Sequence, residues 1–344
     1  MRDDAERLAL PAHLRPAAAA LFDDLPEPQA GAWVDSAGRR LEAGAAALVE
    51  TLPPGSEITV DAFRVRAAAG CPAAGVSGAA LPFSWSPATA ARTIGLRAVS
   101  YHLRGHHGGT SNGSGRPGLC AIESAVDAVV AELIAGERDR TPGPWLAGLS
   151  PPARAVVAAH ARRWAEQAVA WLPLRLVGNR ELRFLDDDWW PPRSRSRNDV
   201  QAHSLRVHGR RDITVEVGGR RVAVSVVGGT ASGAGLAEVD ALTALAALLC
   251  DPKGRLVRVV RCHPASGEVV AFDVTAPLLD RAVEVVLATA CVLGKASPGA
   301  EPEAVPGPGC TWCHRREVCG PGTAWLNRPD RRSMGLPLSC SGPE

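Results

Sequence analysis

Residues 205–229 read LRVHGRRDITVEVGGRRVAVSVVGG, with apolar and polar side chains alternating on either side of a Gly-Gly pair. A period of two is the pattern of a half-buried strand, and Gly218-Gly219 offers the positive φ angles that a two-residue hairpin turn requires. Two paired strands are therefore predicted here. Outward in both directions the period lengthens to that of helices. This mixture sets the fold class as α/β, a mixed central sheet flanked by helices.

Downstream, residues 236–250 are predicted to be helical. GRLVRVVRCHPASGEVVAFDV (254–274) reads as a second strand pair turning at Ser266-Gly267, and APLLDRAVEVVLATACVLGK (276–295) as a long helix. Upstream, LRLVGNRELRFL (174–185) alternates as another strand, while DDDWWPPRSRSRN (186–198) reads as a loop of mixed charge. Residues 119–136 and 151–171 carry helical periods, the first with Ile122, Val126, Val129, Val130 and Leu133 on one side. GHHGGTSNGSGRPG (105–118) reads as a flexible loop, too glycine-rich to give His106-His107 the fixed geometry a metal needs. SEITVDAFRVRAAAGCPAAG (56–75) reads as a short strand or turn feeding a helix that stops at Gly70-Cys71-Pro72. The expected organisation is a helical extension over 1–55 and a helical region over 56–172. An α/β core follows over 173–297, then a cysteine segment over 298–325 and a disordered tail over 326–344.

Hydrophobic residues make up 46% of the 344-residue chain, a globular composition with enough length for a sizeable core. The formal charge of +2 argues neither for nor against a nucleic-acid partner, since a basic groove can be offset by an acidic surface elsewhere. The first residues, MRDDAERLALPAHLRP, are charged and interrupted by proline, unlike a secretory leader. Apolar stretches such as ALTALAALLC (241–250) are about half the length a membrane span needs. A cytoplasmic protein without membrane contact is expected. Its nine cysteines are then free thiols or metal ligands before they are disulfides.

Three of those cysteines lie in CTWCHRREVC (310–319), spaced C-x2-C-x5-C after the Pro/Gly-rich tether SPGAEPEAVPGPG. A C-x2-C pair lets two thiolates reach one inorganic centre from a single turn, and the third can close over it from the start of a helix. Zinc sites usually use two such pairs, and here the third cysteine stands alone, so a fourth ligand comes from elsewhere. A cubane iron–sulfur cluster, commonly held by three clustered cysteines and a remote one, suits the spacing. A structural zinc with His314 or Cys340 as fourth ligand, or three plain reduced thiols, are the other readings.

The stretch EPEAVPGPGCTWCHRREVCGPG, preceded by VVAFDVTAPLLDRAVEVVLATACVL, resembles the C-terminus of the iron–sulfur members of the RecB-like PD-(D/E)XK nuclease superfamily. That group includes the AddB-type and CRISPR-associated exonucleases. The resemblance covers roughly residues 56–75 and 175–325 and implies a PD-(D/E)XK, restriction-endonuclease-like core. In the family an N-terminal Cys-Pro pair ending a helix joins the three C-terminal cysteines. It therefore implies Cys71, Cys310, Cys313 and Cys319 as ligands of a 4Fe-4S cluster, clipping together segments 238 residues apart. Cys120, Cys250, Cys262, Cys291 and Cys340 are left as small core or surface residues.

The same resemblance assigns catalytic positions. GRRD (209–212) matches the family's Gly-x-x-Asp element, and NRELRF places Glu181 on the strand before it. The Asp/Glu-x-Lys element falls on Ser225-Val226-Val227, which lacks both the carboxylate and the lysine. Lysine occurs only at Lys253, in a turn, and at Lys295, at a helix end. The following helix carries neither the family's glutamine nor its tyrosine. Asp212 and Glu181 thus stand as remnants of a site that would take Mg2+ or Mn2+ if active. Read without the family, Asp212 is a strand-end acid paired with Arg210 or Arg211, and His203 or His208 could assist it. Arg193, Arg195, Arg197, Arg210 and Arg211, with Trp189-Trp190, could line a single-stranded DNA path, or equally form a solubilising loop. The resulting expectation is a catalytically impaired nuclease-family protein that binds DNA or joins a DNA-processing assembly, with a helicase as a possible partner. An active exonuclease with unconventional carboxylates, and an iron–sulfur or zinc scaffold or redox module, remain as alternatives.

Overall fold

The computed structural model describes residues 11–28, 31–50, 57–79, 85–104, 121–136, 141–173, 182–191, 205–227, 235–251, 253–264, 266–294 and 303–328. They form α1 (Arg15–Phe22), α2 (Ala32–Val49), β1 (Ile58–Val60), α3 (Ala62–Gly70), α4 (Pro72–Ala79) and α5 (Pro87–Arg104). Next come α6 (Ile122–Ala135), α7 (Gly143–Ala147), α8 (Pro151–Trp171), β2 (Leu182–Trp190), β3 (Leu205–Val217) and β4 (Arg220–Val226). The chain continues through α9 (Leu236–Leu249), β5 (Leu256–His263), β6 (Glu268–Asp273), α10 (Ala276–Gly294) and α11 (Gly320–Leu326). Among the described residues no helix is long and apolar enough to cross a membrane.

The six strands make one mixed sheet in the order β1-β3-β4-β5-β6, with β2 also on β3. β3 is antiparallel to β2 and β4, β5 is antiparallel to β6, and the β1-β3 and β4-β5 pairs are parallel. The expected hairpin joins β3 to β4, with φ of +56° at Gly218 and +78° at Gly219. Gly267, at +71°, turns β5 into β6.

Helices cover both faces. On one, Ile213, Val215, Val222, Val224, Val226, Val260 and Cys262 meet α1, α5, α6 and α8. On the other, Leu205, Val207, Ala223 and Val259 meet α2, α3, α9 and α10. Local signals place the helix starts: Asp61 caps α3 by accepting from Arg64 N at 2.9 Å, and Ser150 caps α8 ahead of two prolines. β5, buried throughout, carries Arg258 between the layers. Its guanidinium pairs with Asp273 Oδ1 at 2.6 Å and donates to the carbonyls of Ala20, Asp23 and Asp24 past the end of α1. The guanidinium satisfies carbonyls at the helix end and suits its negative dipole end.

One expectation needs correction. Asp186–Trp190 is not a loop but the second half of β2, paired residue by residue with Val207–Arg211. The three aspartates tolerate a strand because cross-strand partners neutralise them: Asp188 pairs with Arg211 at 2.9 Å, and Asp187 faces His208 at 3.2 Å. The short strand read ahead of the helix in 56–75 is present: Ile58–Val60 joins the central sheet on β3. The loop at 105–118, the histidines within it and residues 329–344 of the tail lie outside the described residues.

Candidate functional site

β3 is long enough to serve three neighbours. β2 follows one edge over Val207–Val215, while the other edge takes β1 at Leu205–Val207 and then β4 at Ile213–Val217. Between those two, His208–Asp212 has no strand on that edge among the described residues. Here the sheet also reverses its faces. Leu205 and Val207 point toward α9 and α10, yet Ile213 and Val215, of the same parity, point toward α5 and α8. The reversal coincides with Leu185 of β2, which falls opposite Asp212 in the register and adopts φ of +58°. A branched residue in the left-handed region costs about 1–2 kcal/mol, so the surrounding packing must hold it there.

Asp212 sits at this break, 2% exposed. Its Oδ2 accepts from Arg92 of α5 at 2.5 Å and from the backbone N–H of Val226 at 2.8 Å. The second bond stands in for the ladder bond that the fork leaves open. The first balances the buried charge, and Arg92 remains 45% exposed. Nothing in the sequence singles out Arg92, whose cation stands beside the acid. Val226 itself is buried in the core, and Val227 N–H donates to Cys262 O at 2.9 Å. With one oxygen carrying both bonds, and no three His, Cys, Asp or Glu side chains gathered as metal ligands among the described residues, Asp212 is poorly equipped to hold a divalent cation, which seeks several oxygen ligands. Glu181 and His203 lie outside the described residues. His208 is stacked on Trp189, with ring centroids 4.1 Å apart, and bonded to Asp187.

Two further ionic clusters lie beneath α9. Arg211 is buried between Asp188 and Asp186, the latter also accepting from Thr214 Oγ1 at 3.0 Å. Burial pushes Asp188 above the usual carboxylate range, against the pull of Arg211. Arg261 of β5 pairs with Asp240 of α9 at 2.5 Å and donates to His263 Nε2 at 3.2 Å. Desolvation, opposed by Arg261, lifts Asp240 to about 6. Sequence reasoning missed this trio. The signal was available: charged residues inside the apolar runs LVRVVRCH and LAEVDALTALAALL belong inside only when paired.

Of the arginines expected to meet DNA, Arg210 is exposed and Arg211 is turned inward; Arg193, Arg195 and Arg197 lie outside the described residues. Trp190 packs into the core and Trp189 is partly accessible. Gly209 of GRRD has a packing role, since a Cβ there would come within 2.5 Å of Ala246 Cβ on α9.

The segment from Glu303 docks along α4: Ala73 N donates to Glu303 O at 3.2 Å, and His314 bonds Ser77 Oγ at 3.0 Å. Val305 N–H reaches Cys71 Sγ, and two residues on Gly307 N–H reaches Cys310 Sγ, both at 3.4 Å. Gly322 N–H donates to Cys319 Sγ at 3.4 Å, where Cys319 caps α11. A Cβ on Gly322 would stand 3.2 Å from Cys319 Sγ and 3.4 Å from Cys310 Sγ, so these two sulfurs flank one small space. All four cysteines are free and half-buried. Among the described residues no three His, Cys, Asp or Glu side chains come together as ligands of one metal ion. Of the four thiols, those of Cys71, Cys310 and Cys319 each accept from a backbone N–H, the kind of donor that tunes thiolate-bound clusters. Cys262 is buried, Cys250 half-buried and Cys291 exposed; Cys120 and Cys340 lie outside the described residues.

No family model, curated protein or solved structure matches this chain.

Proposed function

We propose that this chain is a RecB-like PD-(D/E)XK nuclease-family protein that binds single-stranded DNA without cleaving it, alone or within a DNA-processing assembly. Cys71, Cys310, Cys313 and Cys319 would hold a 4Fe-4S cluster. When bound, that group supplies a covalent clasp between α4 and the C-terminal segment, closing a loop of more than two hundred residues. The observation that carries the reading is the docking of residues 303–314 on α4, which brings a backbone donor of the late segment onto the early cysteine.

Lack of cleavage follows from Asp212. Its carboxylate is committed to Arg92 and to the Val226 amide, and Ser225-Val226-Val227 adds neither a second carboxylate nor a lysine to orient water. DNA contact would fall to exposed cations such as Arg210 and to accessible rings such as Trp189.

Anaerobic purification tests the clasp. About four irons per chain and a brown colour are expected, lost equally in Cys71→Ser and Cys313→Ser. One zinc per chain refutes it. Incubation with labelled single-stranded DNA and Mg2+ or Mn2+ tests the rest: salt-dependent binding without cleavage is expected, and cleavage abolished by Asp212→Ala would overturn the inactive assignment.

A further inference from the structure

Beside the Asp212 fork, α5 and β2 enclose a half-open groove of about 260 Å³ lined by Arg97, Ser100, Tyr101, Phe184 and Leu185. Its floor is the backbone break already described. Because Leu185 is left-handed, Phe184 and Leu185, though consecutive, both pack toward the α5 side. Strain of this kind is held in place where a site needs it. The lining offers three kinds of group. Arg97 supplies a cation with no carboxylate partner among the described residues. Tyr101 and Phe184 supply aromatic rings, and Ser100 supplies a hydroxyl. The Tyr101 hydroxyl donates to Glu132 of α6, which fixes the ring in place and raises its pKa.

We infer that this groove is a subsite for one unpaired nucleotide: the base lies against Tyr101 and Phe184, and its phosphate meets Arg97. An aromatic platform beside a lone guanidinium is the chemistry that recognises a base with its phosphate. The groove is too small for a duplex, whose bases are in any case stacked on each other. Arg97 follows Arg92 by five residues, about 7.5 Å along the helix, so a strand seated here runs past the Arg92–Asp212 pair. The inference rests on the single-strand-binding reading above and names where one base sits.

The test measures affinity of the full chain for a short oligo-thymidylate by fluorescence anisotropy across a salt series. Tyr101→Ser is expected to weaken binding about tenfold, while Tyr101→Phe, which keeps the ring but not the Glu132 bond, stays within about threefold of wild type. Arg97→Gln is expected to lower the slope of log affinity against log salt by about 0.7, one phosphate contact, which a merely structural residue would not do. An oligonucleotide of abasic sites should bind wild type and Tyr101→Ser alike. If wild type binds no oligo-thymidylate, both the single-strand reading and the subsite fall. If wild type binds and the Tyr101→Ser and Arg97→Gln variants match it in affinity and slope, the subsite alone is overturned.

Discussion

At Asp212, Asp188 and Asp240 a buried carboxylate meets a guanidinium of its own chain, at 2.5, 2.9 and 2.5 Å. At Cys71, Cys310 and Cys319 the sulfurs meet backbone N–H groups, each at 3.4 Å. The sheet pairs these buried acids with its own cations, leaving Asp188 Oδ2 and Arg211 Nε without a hydrogen bond among the described residues. The cysteine segment offers its sulfurs amide donors instead. Where a protein satisfies its own groups, a site has become architecture; where it leaves them half-met at the surface, an outside partner is called for.

The sharpest break of this contrast is Asp212→Ala. It strands Arg92 and the Val226 amide at the fork and is expected to cost about 3 kcal/mol, since Arg92 can still turn to water. Thermal denaturation of the purified variant measures it. A variant as stable as wild type would mean that Asp212 is not structural after all.

Next in size is a pH effect. The native chain keeps on Asp240 a proton that the unfolded chain releases near the ordinary carboxylate value. The stability this confers is complete below about pH 4 and is lost by about pH 6. Asp240→Asn cannot lose that proton. Wild-type stability relative to the variant should therefore fall across this window by on the order of 2–3 kcal/mol. A flat difference in urea melts at several pH values would count against it.

Gly209→Ala should cost about 1–3 kcal/mol in the same melts, because its Cβ would crowd Ala246. The last comparison involves no change in stability. Burial lifts the Cys262 thiol to about 12 and the Cys250 thiol to about 11. Iodoacetamide on metal-free protein should thus modify Cys71, Cys310, Cys313, Cys319 and exposed Cys291 first, as peptide mass mapping would reveal. Early labelling of Cys262 would erase the distinction between sealed and open thiols.

Much of the fold was legible because its signals are local. The paired glycines named the β3–β4 turn, and the helix over 151–171 has the bounds its periodicity and prolines suggest. What was not legible depends on distant partners. Asp186–Asp188 reads as a loop until Arg211 and His208 stand across from it. Helix α5 carries Arg92, which meets Asp212 across 120 residues, and nothing near either residue announces the other. Nothing beside Asp240 or Arg261 in the chain marks them as partners, and only tertiary pairing makes them core. For the cysteines the spacing was visible, whereas the docking of residues 303–314 on α4 beside Cys71 was not.

Arg258 has a consequence for the first helix. Three of its contacts are carbonyls between Ala20 and Asp24, so the guanidinium and the start of the chain are each other's anchor. Trimming the protein to begin at the sheet would leave a desolvated cation holding Asp273 alone in the midst of β5. The alanine-rich opening is thus a keystone rather than an appendage, and shortened versions should be expected to clump where the full chain stays dispersed.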